Sequence, residues 1–389
     1  MTETAWDLPD SRPLSAGTDF HLCADDLPGT PAGWSVTKRT LGNGVSAGVE
    51  VVEIDNGRMT FTVLTTRGMG IWAAERDGRR LGWKSPVRGP VHPCYVPLME
   101  PSGIGWLEGF DELVVRCGLE SNGSAVFDAQ GRLLFPLHGK IANRPAHSLR
   151  VEIDRDRGRI VLHGVVDEIR FHFQKLQLRT AISTPFHGAQ IAWHDEVVNL
   201  GGAPATMQML YHVNLGEPLL APGARLIAPV KAVCPHDRYP DERGTRDHQV
   251  YPQPTDVGSQ QSFFYELLAD PDGETKVLLQ HPAGDQGATL SYNQRQLPWF
   301  TQWRNNVPSA DGYVTALEPG TNFPNPRPFE EQHGRVVYLP PGRSWHADVA
   351  LDWLTSRAEV QRAAADVAAL QGTTAPDVQG CPAAAWSPK

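Results

Sequence analysis

Apolar and polar positions alternate with a period of two along most of the chain. Val51, Val52 and Ile54 precede Asn56-Gly57, and Met59, Phe61, Val63 and Leu64 follow it. This reads as a hairpin, with Asn-Gly accepting the positive φ of a type I′ turn. A second hairpin joins residues 149–153 to 160–166 through a charged turn. From 170 to 182, Phe171, Phe173, Leu176, Leu178 and Ile182 are apolar among polar neighbours, which predicts one long strand. Further strands are expected at 191–198, 207–213, 276–280, 288–292, 314–317, 336–339 and 346–351. Short strands with frequent turn signals predict an all-β chain, folded as a sandwich or barrel.

The helical period is clear in one place. Val360, Ala363, Ala364, Val367 and Leu370 form one stripe, Ser356 with Glu359 makes a capping box, and Gly372 stops the run. The Ala/Pro-rich tail beyond Gly372 is expected to be loose. The polar, Pro-rich stretch 235–258 is expected to be a long functional loop, because strands of the same character flank it. The expected organisation is a segment 1–44 packing on or leading into the sandwich, a β domain 45–352, and a helix with a loose tail at 353–389.

Composition narrows the function. The 389 residues include 35 Lys+Arg against 44 Asp+Glu, a net charge of −9, with no basic block to neutralise phosphates, so a nucleic-acid partner is not expected. No apolar run reaches the roughly 18 residues of a membrane span. The five cysteines are scattered and the first residues lack a basic, apolar leader, so a cytoplasmic protein without disulfides is expected. Exposed strand edges would allow a homodimer.

Three segments join turn residues to ionisable groups. The first, Leu137-His138-Gly139-Lys140, places an imidazole beside a glycine that permits close backbone approach. It is either a ligand-facing group or an ordinary loop histidine. The second is the strand 207–216, where Gln208, Leu210, His212 and Asn214 share a face too polar for a core. It is either the wall of a wet cleft or an exposed edge. The third is Leu317-Glu318-Pro319, a carboxylate where an apolar strand enters a loop. A base of raised pKa can be built at such a rim, although a strand-end Glu is usually solvated. His92 near Cys94, and His236 beside Asp237, are either further cleft residues or, as expected here, surface or packing histidines.

Taken in order, these segments resemble the galactose mutarotase-like superfamily. The runs Leu137-His138-Gly139, Leu210-Tyr211-His212-Val213-Asn214-Leu215 and Leu317-Glu318-Pro319-Gly320-Thr321-Asn322-Phe323-Pro324-Asn325 carry the likeness. The runs 66–71 and 117–119 resemble a divergent branch of aldose 1-epimerase-like proteins. The resemblance spans residues 45–352. It implies a large twisted antiparallel β-sandwich, the mutarotase-like supersandwich, with few short helices and a C-terminal helix.

It also implies an isomerase that exchanges sugar anomers by acid/base ring opening, without cofactor or metal. Glu318 would be the base, His212 the acid, and His138 would hold the sugar. Arg67, Arg144, Asn214, Gln208, Gln302, Trp303 and Arg304 would bind substrate. The family's sugar-binding Asp has no clear counterpart, with Asp237 and Asp241 as candidates. Two alternatives stand beside this reading. One is a metal-dependent lyase or isomerase acting on a keto-sugar or sugar acid through the same two histidines and Glu. The other is a carbohydrate-binding protein without turnover.

Overall fold

The computed structural model describes residues 11–238, 243–255 and 260–389. Alternation obliges each strand to bury one face, and two large sheets meet that demand by stacking. Among the described residues one sheet has nine strands, in the order Ser11–Pro13, Ala146–Asp154, Arg159–Ile169, Lys175–Pro185, Gln190–Asn199, Ser344–Leu354, Gly287–Asn293, Glu274–Gln280 and Arg225–Ile227. The other has fourteen, and its centre carries β1 (Val114–Leu119), β2 (Ala205–Gly216), β3 (Gln260–Leu267), β4 (Trp299–Asn305) and β5 (Val314–Gly320), in the spatial order β1-β2-β5-β4-β3. These neighbours run antiparallel. No helix among the described residues is long and apolar enough to cross a membrane.

The inner faces form one core. Met207, Met209, Tyr211 and Val213 of β2, Phe263 and Tyr265 of β3, Phe300 of β4 and Leu317 of β5 pack against Leu162, Leu178, Val197 and Val349 of the smaller sheet. Each such side chain contributes roughly 1.5–3 kcal/mol by leaving water. One buried ion pair spans the layers: Arg116 Nε of β1 lies 2.5 Å from Asp195 Oδ2, and Tyr211 Oη donates to the same carboxylate at 3.0 Å. Arg116 also donates to Asp195 Oδ1, Met69 O and Thr180 Oγ1, so the pair is well hydrogen-bonded, as a charge taken out of water requires.

Local chemistry explains where the chain departs from its alternation pattern. The first hairpin pairs Glu50–Asp55 with Thr60–Leu64, but its turn is not type I′. Gly57 has φ +86°, whereas Asn56 keeps a negative φ. The buried Asn56 instead accepts from the N–H groups of Arg58 and Met59 and donates to Thr184. The long strand begins only at Lys175. Phe171 and Phe173 sit on the preceding turn, 80% and 54% exposed.

Residues 20–40 extend the larger sheet through Phe20–Cys23 and Ser35–Thr40. The C-terminal helix Arg357–Gln371 forms as expected. Ser356 Oγ accepts from Glu359 N–H, Glu359 accepts from Thr355 N–H, and Val360, Ala363 and Val367 pack on Leu278. The tail after it is not loose. Asp377–Val378 pairs in parallel with Val230–Pro235, and Trp386 packs on Phe323 and Trp299.

Candidate active site

The outer face of the larger sheet, turned away from the smaller one, carries a cavity of about 550 Å³. This is within the usual range of about 300–1,000 Å³ for small-molecule sites. Its floor comes from strand alternation: His212 of β2, Glu318 of β5, and Thr301, Trp303 and Asn305 of β4 all point outward. Loops supply the walls. His138 enters from 136–139, Trp106 from the turn Gly105–Gly109, and Phe110 from the residue that caps that turn. His138 has φ +57°, and Gly139 after it has φ +74°. A Cβ on Gly139 would run into the carbonyl oxygens of Ser121 and Gly118, so this close approach needs glycine.

Glu318 and His212 form the chemical centre. His212 Nε2 lies 3.3 Å from Glu318 Oε1, with side chains 5% and 2% exposed. The contact is close but not aligned as a hydrogen bond, and Glu318 Oε1 has no other protein partner. His212 is ringed by Phe110, His138, Trp303 and Trp106 at centroid distances of 5.2, 5.3, 5.7 and 6.0 Å. Burial therefore dominates the titration of both groups. It pushes Glu318 well above the ordinary carboxylate range and His212, with help from neighbouring His138, well below the ordinary imidazole range. Both shifts favour the uncharged forms, a carboxylic acid beside a neutral imidazole.

The tautomers follow from the partners. Asn214 Nδ2 donates to Glu112 O and His212 O, so its Oδ1 must face His212 Nδ1, 2.6 Å away. His212 therefore carries its proton on Nδ1 and turns a bare Nε2 toward Glu318. His138 likewise gives its Nδ1–H to Asn122 O at 2.9 Å, leaving Nε2 as an acceptor. Burial holds His138 at about 4, against the bond to Asn122. Trp106 Nε1 is buried without a protein partner. A cavity bordered by an orphan donor, an orphan carboxyl oxygen and two imidazole acceptors suits a ligand rich in hydroxyl groups.

Among the expected site residues, His138, His212, Glu318 and Trp303 line this one cavity. Asn214 sits behind His212 and fixes its orientation. The others do not reach the cavity. Arg67 is 1% exposed and spends its donors on Glu112, Val91 O, Asn143 and Gly109 O. Gln302 and Arg304 flank Trp303 in sequence and therefore point to the opposite face, where they meet Tyr251 and Tyr265 between the sheets. Gln208 shares the face of His212 but is covered by Asn122. Arg144 is exposed and lies outside the lining. Among the described residues, no three His, Cys, Asp or Glu side chains converge as metal ligands.

Sequence reasoning missed Trp106 and Phe110, although a Gly-punctuated aromatic run at 103–110 is visible. The sequence expectation for His236 is the surface or packing, with the cleft as its alternative; His236 and Asp237, the latter one of the two Asp candidates, line the cavity together with Asp311 and Lys389. Asp241 lies outside the described residues.

The molecule is similar in structure and partly in sequence to known proteins. Residues 46–352 match the model of a family described as a domain of unknown function, DUF4432. A Klebsiella pneumoniae protein described as a "putative aldose 1-epimerase" is 33% identical, over 95% of this chain and 97% of that one, with a TM-score of 0.90. A galactose mutarotase-like protein from Clostridium acetobutylicum shares the fold at 13% identity and TM-score 0.58, over 82% of this chain and 98% of that one. A galactose 1-epimerase from Lactobacillus acidophilus does so at 11% identity and TM-score 0.54, over 82% and 99%. No curated protein sequence matches the chain.

Proposed function

The chain is a member of the DUF4432 family, and on the geometry of its cavity we propose that it is an aldose 1-epimerase-like enzyme, exchanging the anomers of a monosaccharide by acid/base ring opening. One observation carries this reading: the buried contact between His212 and Glu318, opening on a cavity walled by aromatic rings. Names given to the similar structures point the same way.

The pair holds one movable proton. In the resting form it sits on Glu318. Passing it to His212 Nε2 gives a carboxylate and an imidazolium whose attraction across 3.3 Å is about 5 kcal/mol at an effective dielectric near 20. That offsets much of the cost of charging two buried groups, so both forms are within reach. In the charged form Glu318 takes the proton from the anomeric hydroxyl, His212 gives its Nε2 proton to the ring oxygen, and the bond from C1 to the ring oxygen breaks. The open aldehyde rotates about C1–C2. The C5 hydroxyl then attacks the other face, returning its proton to His212 while Glu318 protonates the carbonyl oxygen. Atoms and charge balance without any redox step. Asn214 keeps Nδ1 protonated throughout, and His138 Nε2 accepts from a sugar hydroxyl. Trp303, Trp106 and Phe110 face the sugar's C–H groups.

Polarimetry on freshly dissolved α-aldoses tests this. The wild-type protein is expected to speed anomer exchange, and Glu318→Gln to lose at least about 100-fold while staying folded. Full activity in that variant would remove Glu318 as the base. No catalysis by the wild type across a sugar panel would overturn the function.

A further inference from the structure

The cavity wall that carries His236 and Asp237 is braced by residues far away in sequence. His236 Nδ1 lies 2.7 Å from Asp237 Oδ2, and Lys389 Nζ lies 2.8 Å from Asp237 Oδ1. Both carboxylate oxygens are thus held, and the proton on Nδ1 leaves His236 Nε2 as an acceptor. The segment bearing Lys389 is itself anchored. Ser387, 2% exposed, donates to His236 O at 2.7 Å, and the Trp386 carbonyl accepts from Asn325 at 2.7 Å. Arg335 donates to Ala385 O, and Gln379 N–H to Val233 O. This length of hydrogen bonding is more than a surface tail needs, and it converges on two cavity residues.

We propose that residues 377–389 form a strap, and that Ser387 and Lys389 are positioning residues which hold His236 and Asp237 against the bound sugar and so set its affinity. This rests on the mutarotase reading. The strap acts on binding rather than on proton transfer, because its contacts lie on the wall and not at His212 and Glu318. Lys389 is well exposed, with 58% of its side chain in water. Its removal should therefore leave the melting temperature unchanged, which separates a role in the site from a role in stability.

The test is steady-state mutarotation of α-D-glucopyranose, α-D-galactopyranose and an α-pentopyranose by wild type, Lys389→Ala and Ser387→Ala, with melting temperatures measured alongside. Lys389→Ala is expected to raise KM about threefold to tenfold for the best substrate, with kcat within about twofold and an unchanged melting temperature. Ser387→Ala is expected to raise KM similarly. An unchanged KM in Lys389→Ala, with an active wild type that Glu318→Gln silences, would overturn the strap and leave the mutarotase reading standing. A fall in kcat without a rise in KM would also overturn it. A wild type inactive on every sugar would overturn both.

Discussion

Asn214 Oδ1 lies 2.6 Å from His212 Nδ1, and that contact decides which ring nitrogen meets the substrate. Asn214→Leu is expected to lower kcat at least about tenfold with little change in KM, because Nε2 is no longer aimed. Asn214→Asp retains the acceptor and adds a negative charge, so it should keep more activity. It should also raise the His212 pKa from its depressed value. NMR titration of the imidazole in both variants checks this, and an unmoved pKa in Asn214→Asp would contradict it.

Glu318 and the histidines should leave opposite marks on stability. Burial raises the folded pKa of Glu318 above its ordinary 4.5. Its contribution is therefore complete below about 4.5 and is lost as pH rises toward the folded value. Glu318→Gln has no such loss, so it should match wild type near pH 4 and exceed it in stability at pH 8. His138, depressed from 6.5 to about 4, behaves in reverse. Its contribution is present above about 6.5 and is lost as pH falls toward 4, at about 1.4 kcal/mol per pH unit. His138→Asn should flatten that acid limb. Urea unfolding from pH 4 to pH 8 measures both effects.

Arg67 works at a distance. It neutralises Glu112, whose main-chain carbonyl receives Asn214 Nδ2 at 2.9 Å and Trp83 Nε1 at 3.1 Å. Arg67→Met would leave a buried carboxylate unpaired and should cost about 3–5 kcal/mol in chemical denaturation. Replacing Glu112 by Leu in the same chain should recover part of that loss.

Gly139→Ala tests the loop that presents His138. The new Cβ meets main-chain oxygens at a positive φ, so a large drop in melting temperature and loss of activity are expected together. Gly131 has φ +74° with open space around it, so Gly131→Ala should cost only about 1 kcal/mol and leave activity intact. Equal effects of the two changes would show that the close approach at Gly139 is unimportant.

Much of the fold was legible because alternation is a local property. The strands, the capped C-terminal helix and the outward face of β2 all follow from it. The resemblance, not alternation, grouped His138, His212 and Glu318, which line one cavity; alternation explains why the two on strands, His212 and Glu318, point outward. The errors have physical causes as well. Gln302 and Arg304 were grouped with Trp303 by closeness in sequence, against the rule that adjacent strand residues face opposite ways. Arg67 was read as a substrate-binding residue because its partner Glu112, 45 residues away, carries no local signal. The strap was misread because small residues and prolines look loose until Trp386 finds Phe323 and Trp299.

Placing the cavity on the outside of the larger sheet keeps it apart from the apolar layer that holds the two sheets together. Its floor is rigid sheet, while its rim is borrowed from turns and from the chain's last residues. A lineage could therefore retune which molecule it greets by editing that border, with no tax on the buried masonry beneath.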